Sequence, residues 1–119
     1  MIILRDDKKN LIVDLTFNFS LKIIEYSKLV RSLKRFEMSS QIFRSGTSIG
    51  ANIREAQNAE SKRDFIHKFK IAAKEADEVE YWLKLCKASE FYPDPNEEIL
   101  KELTVIIKII SKIISFSKG

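Results

Sequence analysis

Apolar residues spaced alternately four and three positions apart run through most of this chain, and this spacing constrains the fold more than any other feature. The longest run consists of Phe65, Phe69, Ala72, Ala76, Val79, Leu83 and Cys86. This spacing places all members on one side of an α-helix, whereas a strand would need alternation by two. A helix that continues to about residue 89 would be about 42 Å long and would need partners along its whole length.

Three further stripes of this kind predict three further helices. Helix 1 is expected between Asn10 and Arg35, with the stripe Leu15, Phe19, Ile23, Tyr26, Val30 and Leu33. Helix 2 carries Ile42, Gly46, Ile49, Ile53 and Ala56, and helix 4 carries Ile99, Leu103, Ile106, Ile110 and Ile113. Residues 13–19 also alternate between apolar and polar, so an N-terminal strand or a later start of helix 1 remains open.

Polar residues predict where the later helices begin. Ser39 or Ser40 offers an N-cap for helix 2, and Ser61 with Asp64 three positions later resembles a capping box for helix 3. Asp94, which lies between two prolines, is the expected N-cap of helix 4. Because the connections are short, consecutive helices should be antiparallel neighbours.

These elements predict an all-α protein, an antiparallel up-down-up-down four-helix bundle. The 119 residues suit one core, so residues 1–119 are expected to form a single domain. The start of the chain lacks the pattern of a signal peptide, and no segment approaches the ~20 apolar residues of a membrane span. The single cysteine cannot form an intramolecular disulfide, so a cytoplasmic protein without membrane contact is expected.

The helices carry more apolar residues than one bundle can bury. Helix 4 has additional apolar faces made of Leu100, Ile107 and Ile114, and of Val105, Ile109 and Phe116. Helix 3 adds Tyr81, Trp82 and Leu85, and helix 1 adds Leu11, Ile12, Phe17 and Ile24. Left exposed, these side chains would form a larger patch than soluble monomers usually tolerate, which predicts a homo-oligomer. The alternative is a tightly wrapped bundle with a few scattered exposed residues.

The positive charge is concentrated in the first two thirds of the chain. Residues 1–74 hold 15 basic and 8 acidic residues, and residues 75–119 hold 6 and 9, which gives +4 overall. This asymmetry favours an anionic partner such as RNA or DNA, although a solvated charged face is the ordinary alternative. The candidate contacts lie at the end of helix 1 and the start of helix 3, two regions that could adjoin. They are Lys28, Arg31, Lys34, Arg35, Lys62 and Arg63.

The side chains that usually carry catalysis are nearly absent. The only histidine, His67, and the only cysteine, Cys86, are 19 residues apart on one predicted helix, which separates them by about 28 Å. They cannot form a nucleophile and base pair within one chain. The acidic residues of helix 3 lack the Glu-x-x-His motif of bundle metal sites and are interpreted as a solvated face. No catalytic residue, cofactor or metal is expected.

A second, more polar stripe follows the apolar stripe of helix 2. It consists of Ser45, Ser48, Asn52, Glu55 and Ala59. Buried polar groups must be hydrogen-bonded, so this stripe is either a binding site or a polar joint between helices or subunits. An enzyme that uses Arg44, Asn52 and Glu55 as a small polar site is a third interpretation.

At these residues the chain resembles the four-helix-bundle proteins named for the 23S ribosomal-RNA intervening sequence. The resemblance covers about residues 10–115 and centres on the pattern R-x-x-x-S-I-x-x-N-I-x-E. That pattern is carried by Arg44, Ser48, Ile49, Asn52, Ile53 and Glu55. Ala56 stands where the family usually has glycine, which indicates that helix 2 ends without a left-handed cap.

The resemblance implies a cytoplasmic homopentameric ring with no known enzymatic activity. A distant relative, the accessory protein of diversity-generating retroelements, is a basic pentamer that binds nucleic acid and a reverse transcriptase. Two functions are therefore weighed. The first is a non-catalytic oligomeric module that binds RNA or DNA through phosphate contacts, and the second is a scaffold that binds a partner protein and no nucleic acid.

Overall fold

Four antiparallel helices form the protein in this computed structural model, which describes residues 7–118, with side chains from residue 11 onward. The helices are α1 (Asp7–Ser32), α2 (Phe36–Ala56), α3 (Lys62–Ala88) and α4 (Glu97–Lys118), and no strand occurs among the described residues. α2 packs against α1 and α3, and α4 packs less extensively against the same two helices. The resulting up-down-up-down bundle measures 46 × 21 × 18 Å and confirms the predicted all-α fold.

The predicted apolar stripes form the core. On α3, every stripe member from Phe69 to Cys86 is fully buried, and Phe65 at the end of the stripe is partly exposed. The stripes of α2 and α4 are buried throughout. On α1 the stripe departs from the prediction at both ends, because Leu33 is exposed and Leu15 only partly buried, while Ile12 lies in the core. The region around residues 13–19 is helical, so the strand alternative is excluded.

Two glycines of α2 pack directly against α1. A Cβ atom at Gly46 would lie 2.7 Å from Ile23 Cγ2, and one at Gly50 would lie 3.3 Å from the carbonyl oxygen of Thr16. The two glycines therefore allow the helices to pack at these positions without a clash. Each glycine costs about 1 kcal/mol in helix propensity relative to alanine.

The hydroxyl groups of this seam bond to backbone carbonyls. Thr16 and Ser27 donate to the carbonyls of Ile12 and Ile23 four residues earlier, and Ser39 of α2 donates to the Ser27 carbonyl across the seam at 2.9 Å. No buried side-chain nitrogen or oxygen in the described part of the chain lacks a hydrogen-bond partner. The seam thus contains polar side chains, and each of their buried polar atoms has a hydrogen-bond partner.

The predicted start of α2 is wrong. α2 begins at Phe36, with Arg35 at the N-cap position and no side-chain cap, because α1 ends in a compact Schellman motif. In that motif Lys34 N donates to Arg31 O at 2.8 Å, and Arg35 N donates to Val30 O at 3.4 Å. Only three residues therefore separate the helices, and Ser39, predicted as a possible N-cap, lies inside α2 on the seam.

The predicted start of α3 is confirmed, whereas that of α4 is shifted by two residues. Ser61 caps α3 by accepting from Asp64 N at 3.0 Å. Asn96 rather than Asp94 caps α4, because its Oδ1 accepts from Glu98 N at 2.7 Å. Asparagine and aspartate are about equally favourable at the N-cap position, so the sequence was compatible with a cap at Asp94 or at Asn96. The end of α2 has no left-handed cap, as the alanine at position 56 indicated.

No helix of the described residues is long and apolar enough to cross a membrane. The N-terminal residues 1–6, on which the signal-peptide expectation rests, lie outside the described part of the chain.

Gly46→Ala tests the α1–α2 seam. The added methyl group meets the stiff, β-branched Ile23, so we expect the free energy of unfolding to fall by about 1 kcal/mol despite the better helix propensity of alanine. In an Ile23→Ala background the clash is absent, and the same substitution should raise stability. Urea unfolding at one fixed protein concentration measures both effects. A stability gain in both backgrounds would show that the seam is not tightly packed.

Candidate nucleic-acid interface

The six basic residues predicted to contact nucleic acid lie at opposite ends of the bundle. Lys28, Arg31, Lys34 and Arg35 are at the end where α1 ends and α4 begins, and Arg35 Nε donates to Phe91 O at 3.3 Å. Lys62 and Arg63 are at the other end, beside the last residue described in α4, Lys118. α3 alone spans about 40 Å between these ends, so the two groups do not adjoin within one chain.

The α3 end forms a shallow open cleft of about 560 Å³, the basic cleft. It is lined by Lys62, Arg63, Ile66, His67, Lys70 and Lys118. None of its three lysines or its arginine forms an ion pair with any described residue. Cations that line one cleft without carboxylate partners provide an electrostatically favourable site for an anion.

Four residues of the basic cleft were not among the predicted contacts, the apolar Ile66 and the polar His67, Lys70 and Lys118. His67 and Lys70 follow Arg63 at steps of four and three, a helical spacing that was visible in the sequence. Lys118 joins them only because α4 runs antiparallel to α3, which brings the last turn of the one helix to the first turn of the other.

At the other end, aromatic and basic side chains alternate. We call this surface the basic-aromatic end, which comprises Lys28, Arg31, Lys34, Arg35, Phe36, Phe91 and Tyr92. The Arg31 guanidinium carbon lies 5.1 Å from the centre of the Phe36 ring, and that of Arg35 lies 5.9 Å from the centre of the Tyr92 ring. Both distances are typical of cation–π contacts. Along the sequence, only Phe36 is close to these cations. Phe91 and Tyr92 are more than 50 residues away, so only the fold brings them to this end.

Lys34 adopts a backbone conformation that lysine rarely takes. Its φ angle is +62°, in the left-handed region where glycine is usual, and it is the only residue with positive φ among those described. The conformation costs about 1 kcal/mol relative to the right-handed one. The turn therefore displays a positive side chain where a neutral glycine would be more stable.

The loop before α4 is attached to the core through Tyr26. The Tyr26 hydroxyl donates to the Pro93 carbonyl, and the ring is buried beside Cys86. Burial, reinforced by the neighbouring thiol, raises the pKa of Tyr26 well above its usual range, and burial also raises the pKa of Cys86. Both groups therefore stay neutral at physiological pH, and Cys86 is a core residue as predicted.

Arg44 and one member of the polar stripe, Glu55, form a joint between α2 and α3 within one chain. Arg44 binds the carboxylates of Glu75, at 3.2 Å, and Glu78. Further along the contact between α2 and α3, Glu55 binds Lys68 at 2.8 Å and raises the pKa of that lysine.

Ser45, Ser48 and Asn52 of the stripe bond within α2, and Ala59 lies beyond the end of that helix. Asn52 donates to the carbonyl oxygen and the hydroxyl of Ser48. None of these residues lines the basic cleft, and no group of three or more metal-ligating side chains occurs in the part of the chain that is described. The ion pairs of Arg44 and Glu55 with α3 favour the joint interpretation.

Arg44→Ala tests the joint. The ion pairs are partly exposed, so we expect a loss of at most about 1 kcal/mol of stability that shrinks at high salt. Trp82, the only tryptophan, donates to Glu78, so its fluorescence should change as well. Arg54→Ala, which removes an exposed α2 arginine without an ion pair among the described residues, is the control. Equal effects of the two substitutions would contradict a specific joint.

Comparison with known proteins agrees with this fold. A crystal structure of a protein of unknown function from the S23 ribosomal protein family of Bacteroides thetaiotaomicron superposes with a TM-score of 0.83. It is 47% identical in sequence, and the match covers 91% of this chain and 98% of that one. No curated protein gives a significant match. The family model of the 23S rRNA-intervening sequence protein matches residues 8–114. This chain therefore belongs to the family of 23S rRNA-intervening sequence proteins.

Proposed function

We propose that this protein is a non-enzymatic homo-oligomeric module that binds RNA or DNA through its basic side chains. The basic cleft carries the proposal, because three lysines and an arginine line it without an ion-pair partner among the described residues. By contrast, Lys22 of α1 and Lys68 of α3 each pair with a glutamate of another helix. A phosphate backbone would neutralise the cations of the cleft and release counterions, which favours binding.

The exposed apolar residues support assembly into a ring. On α1, Phe17, Leu21 and Ile24 are 62%, 49% and 43% exposed and fall within about 60° around the helix axis. On α4, Val105 and Phe116 are 47% and 87% exposed and share the side of Glu98, which binds Lys22 of α1. Apolar faces on two helices favour a head-to-tail contact, and such contacts form a ring when the rotation between successive copies closes.

A ring would multiply the charge that each subunit contributes. One chain carries +4, and the five copies that the family resemblance implies would carry +20. Several basic clefts on one particle could bind one nucleic acid together, which raises avidity without any new contact.

A salt titration of binding to a generic single-stranded RNA tests this function. Phosphate contacts predict that the logarithm of the binding constant falls linearly with the logarithm of salt concentration. Lys62→Ala/Arg63→Ala/Lys70→Ala removes three cations of the cleft and should reduce the slope by about two, at ~0.7 per contact. Fluorescence anisotropy between 50 and 300 mM salt measures it.

Three lysines outside the cleft supply the matched control. Lys74 of α3 and Lys101 and Lys108 of α4 are exposed and have no ion-pair partner among the described residues, so Lys74→Ala/Lys101→Ala/Lys108→Ala removes the same charge. The control variant should retain more affinity and a steeper slope than the cleft variant. Equal slopes, or no binding by the wild type at 50 mM salt, would contradict the proposal.

A protein-binding scaffold is the second candidate, and the exposed Phe91 and Tyr81 side chains favour it. It requires an apolar surface that remains accessible after oligomerisation. A protein that co-purifies after nuclease treatment, combined with no RNA affinity at 50 mM salt, would replace the first function by this one.

A further inference from the structure

The basic-aromatic end presents aromatic rings to solvent at fixed positions. Phe36 and Phe91 are 51% and 67% exposed. Phe36 is the first residue of α2, and its ring lies under the Arg31 guanidinium. Exposed aromatic rings beside arginine are the groups on which unpaired bases stack.

The loop segment around Phe91 is held by three hydrogen bonds. The backbone nitrogen of Phe91 donates to Ser89 Oγ, and the Phe91 carbonyl accepts from Arg35 Nε at 3.3 Å. Two residues later, the Pro93 carbonyl accepts from the buried Tyr26. Little conformational freedom is therefore left to lose when a ligand binds, which favours affinity.

The charge of this surface is small for a duplex-binding site. Glu37, Glu90 and Asp94 lie in the same segments as its four cations, which leaves a local charge of about +1. None of the three carboxylates pairs with those cations in the described residues. A duplex hides its bases and is bound mainly through phosphates, whereas a single strand offers base faces as well.

We infer that the basic-aromatic end binds single-stranded nucleic acid, with bases stacked on Phe36 and Phe91 and phosphates near Arg31 and Lys34. The inference rests on the proposed function and specifies its ligand as a single strand. It also assigns a role to Phe91, which the sequence alone did not connect with the basic residues of α1.

Phe36→Leu/Phe91→Leu separates stacking from charge, because leucine keeps an apolar side chain and removes the ring. We expect affinity for a fluorescein-labelled dT12 strand to fall at least about fivefold, since each stacked base contributes several-fold or more. The salt slope should stay unchanged because stacking releases no counterions. Affinity for a 12-base-pair duplex should also stay unchanged.

Tyr81→Leu is the control, since Tyr81 is an aromatic residue 59% exposed on the side of α3. It should leave dT12 binding at the wild-type level. The inference is overturned if Phe36→Leu/Phe91→Leu binds dT12 like the wild type, or if it loses duplex affinity to the same extent. If dT12 binding then still depends on Lys62 and Arg63, the proposed function survives without this surface.

Lys34→Gly supplies a second test in which stability and binding change in opposite directions. Glycine relieves the left-handed strain, so the melting temperature should rise by about 4 °C. It also removes one cation, so dT12 affinity and the salt slope should fall. Lys34→Arg keeps both strain and charge and should match the wild type in each measurement. A more stable Lys34→Gly protein with unchanged dT12 binding would contradict the inference.

Discussion

The close contact between α1 and α2 is the constraint on which the other features of the bundle depend. Gly46 and Gly50 let the two helices approach until Ile23 and the Thr16 carbonyl fill the space that a side chain would need. The hydroxyls of the seam keep this approach free of unsatisfied polar groups. α2 packs between α1 and α3, and α4 packs against the same two helices from the other side. The position of α2 against α1 therefore influences how all four helices are aligned.

That register separates the surface of the protein into ends and sides with different chemistry. The sides of α2 and α3 are joined by ion pairs such as Arg44 with Glu75, which neutralise charge locally. Cations without such a partner among the described residues also lie along α4, but at the ends they are grouped, at the basic cleft and near the turn of Lys34. In the proposed assembly, apolar sides meet between copies while both ends remain accessible to a polyanion.

The sequence predicted the core well because burial follows a simple period. The spacing of Phe69 to Cys86 on α3 requires one buried face, and that face is buried. Helix starts were less predictable. A left-handed Lys34 ends α1 where the sequence shows neither glycine nor asparagine, so α2 began earlier than its serines indicated. Two equivalent caps, Asp94 and Asn96, stand close together before α4, and local preference does not choose between them.

The candidate sites were predicted only in part because they join distant segments. The helical spacing of Arg63, His67 and Lys70 was visible in the sequence, but the addition of Lys118 depends on how α4 ends beside α3. Likewise, Phe91 reaches Arg35 only through the fold of the loop that Tyr26 holds. A count of charges along the chain does not relate residues that are far apart in sequence. The packing of the helices determines which of these residues come into contact.

Native mass spectrometry, with and without the dT12 strand, tests the central claim of an oligomer that binds nucleic acid. The account predicts a particle whose mass is a multiple of 13.8 kDa and which gains the mass of at least one strand. A 13.8 kDa monomer that leaves the strand unbound would contradict it.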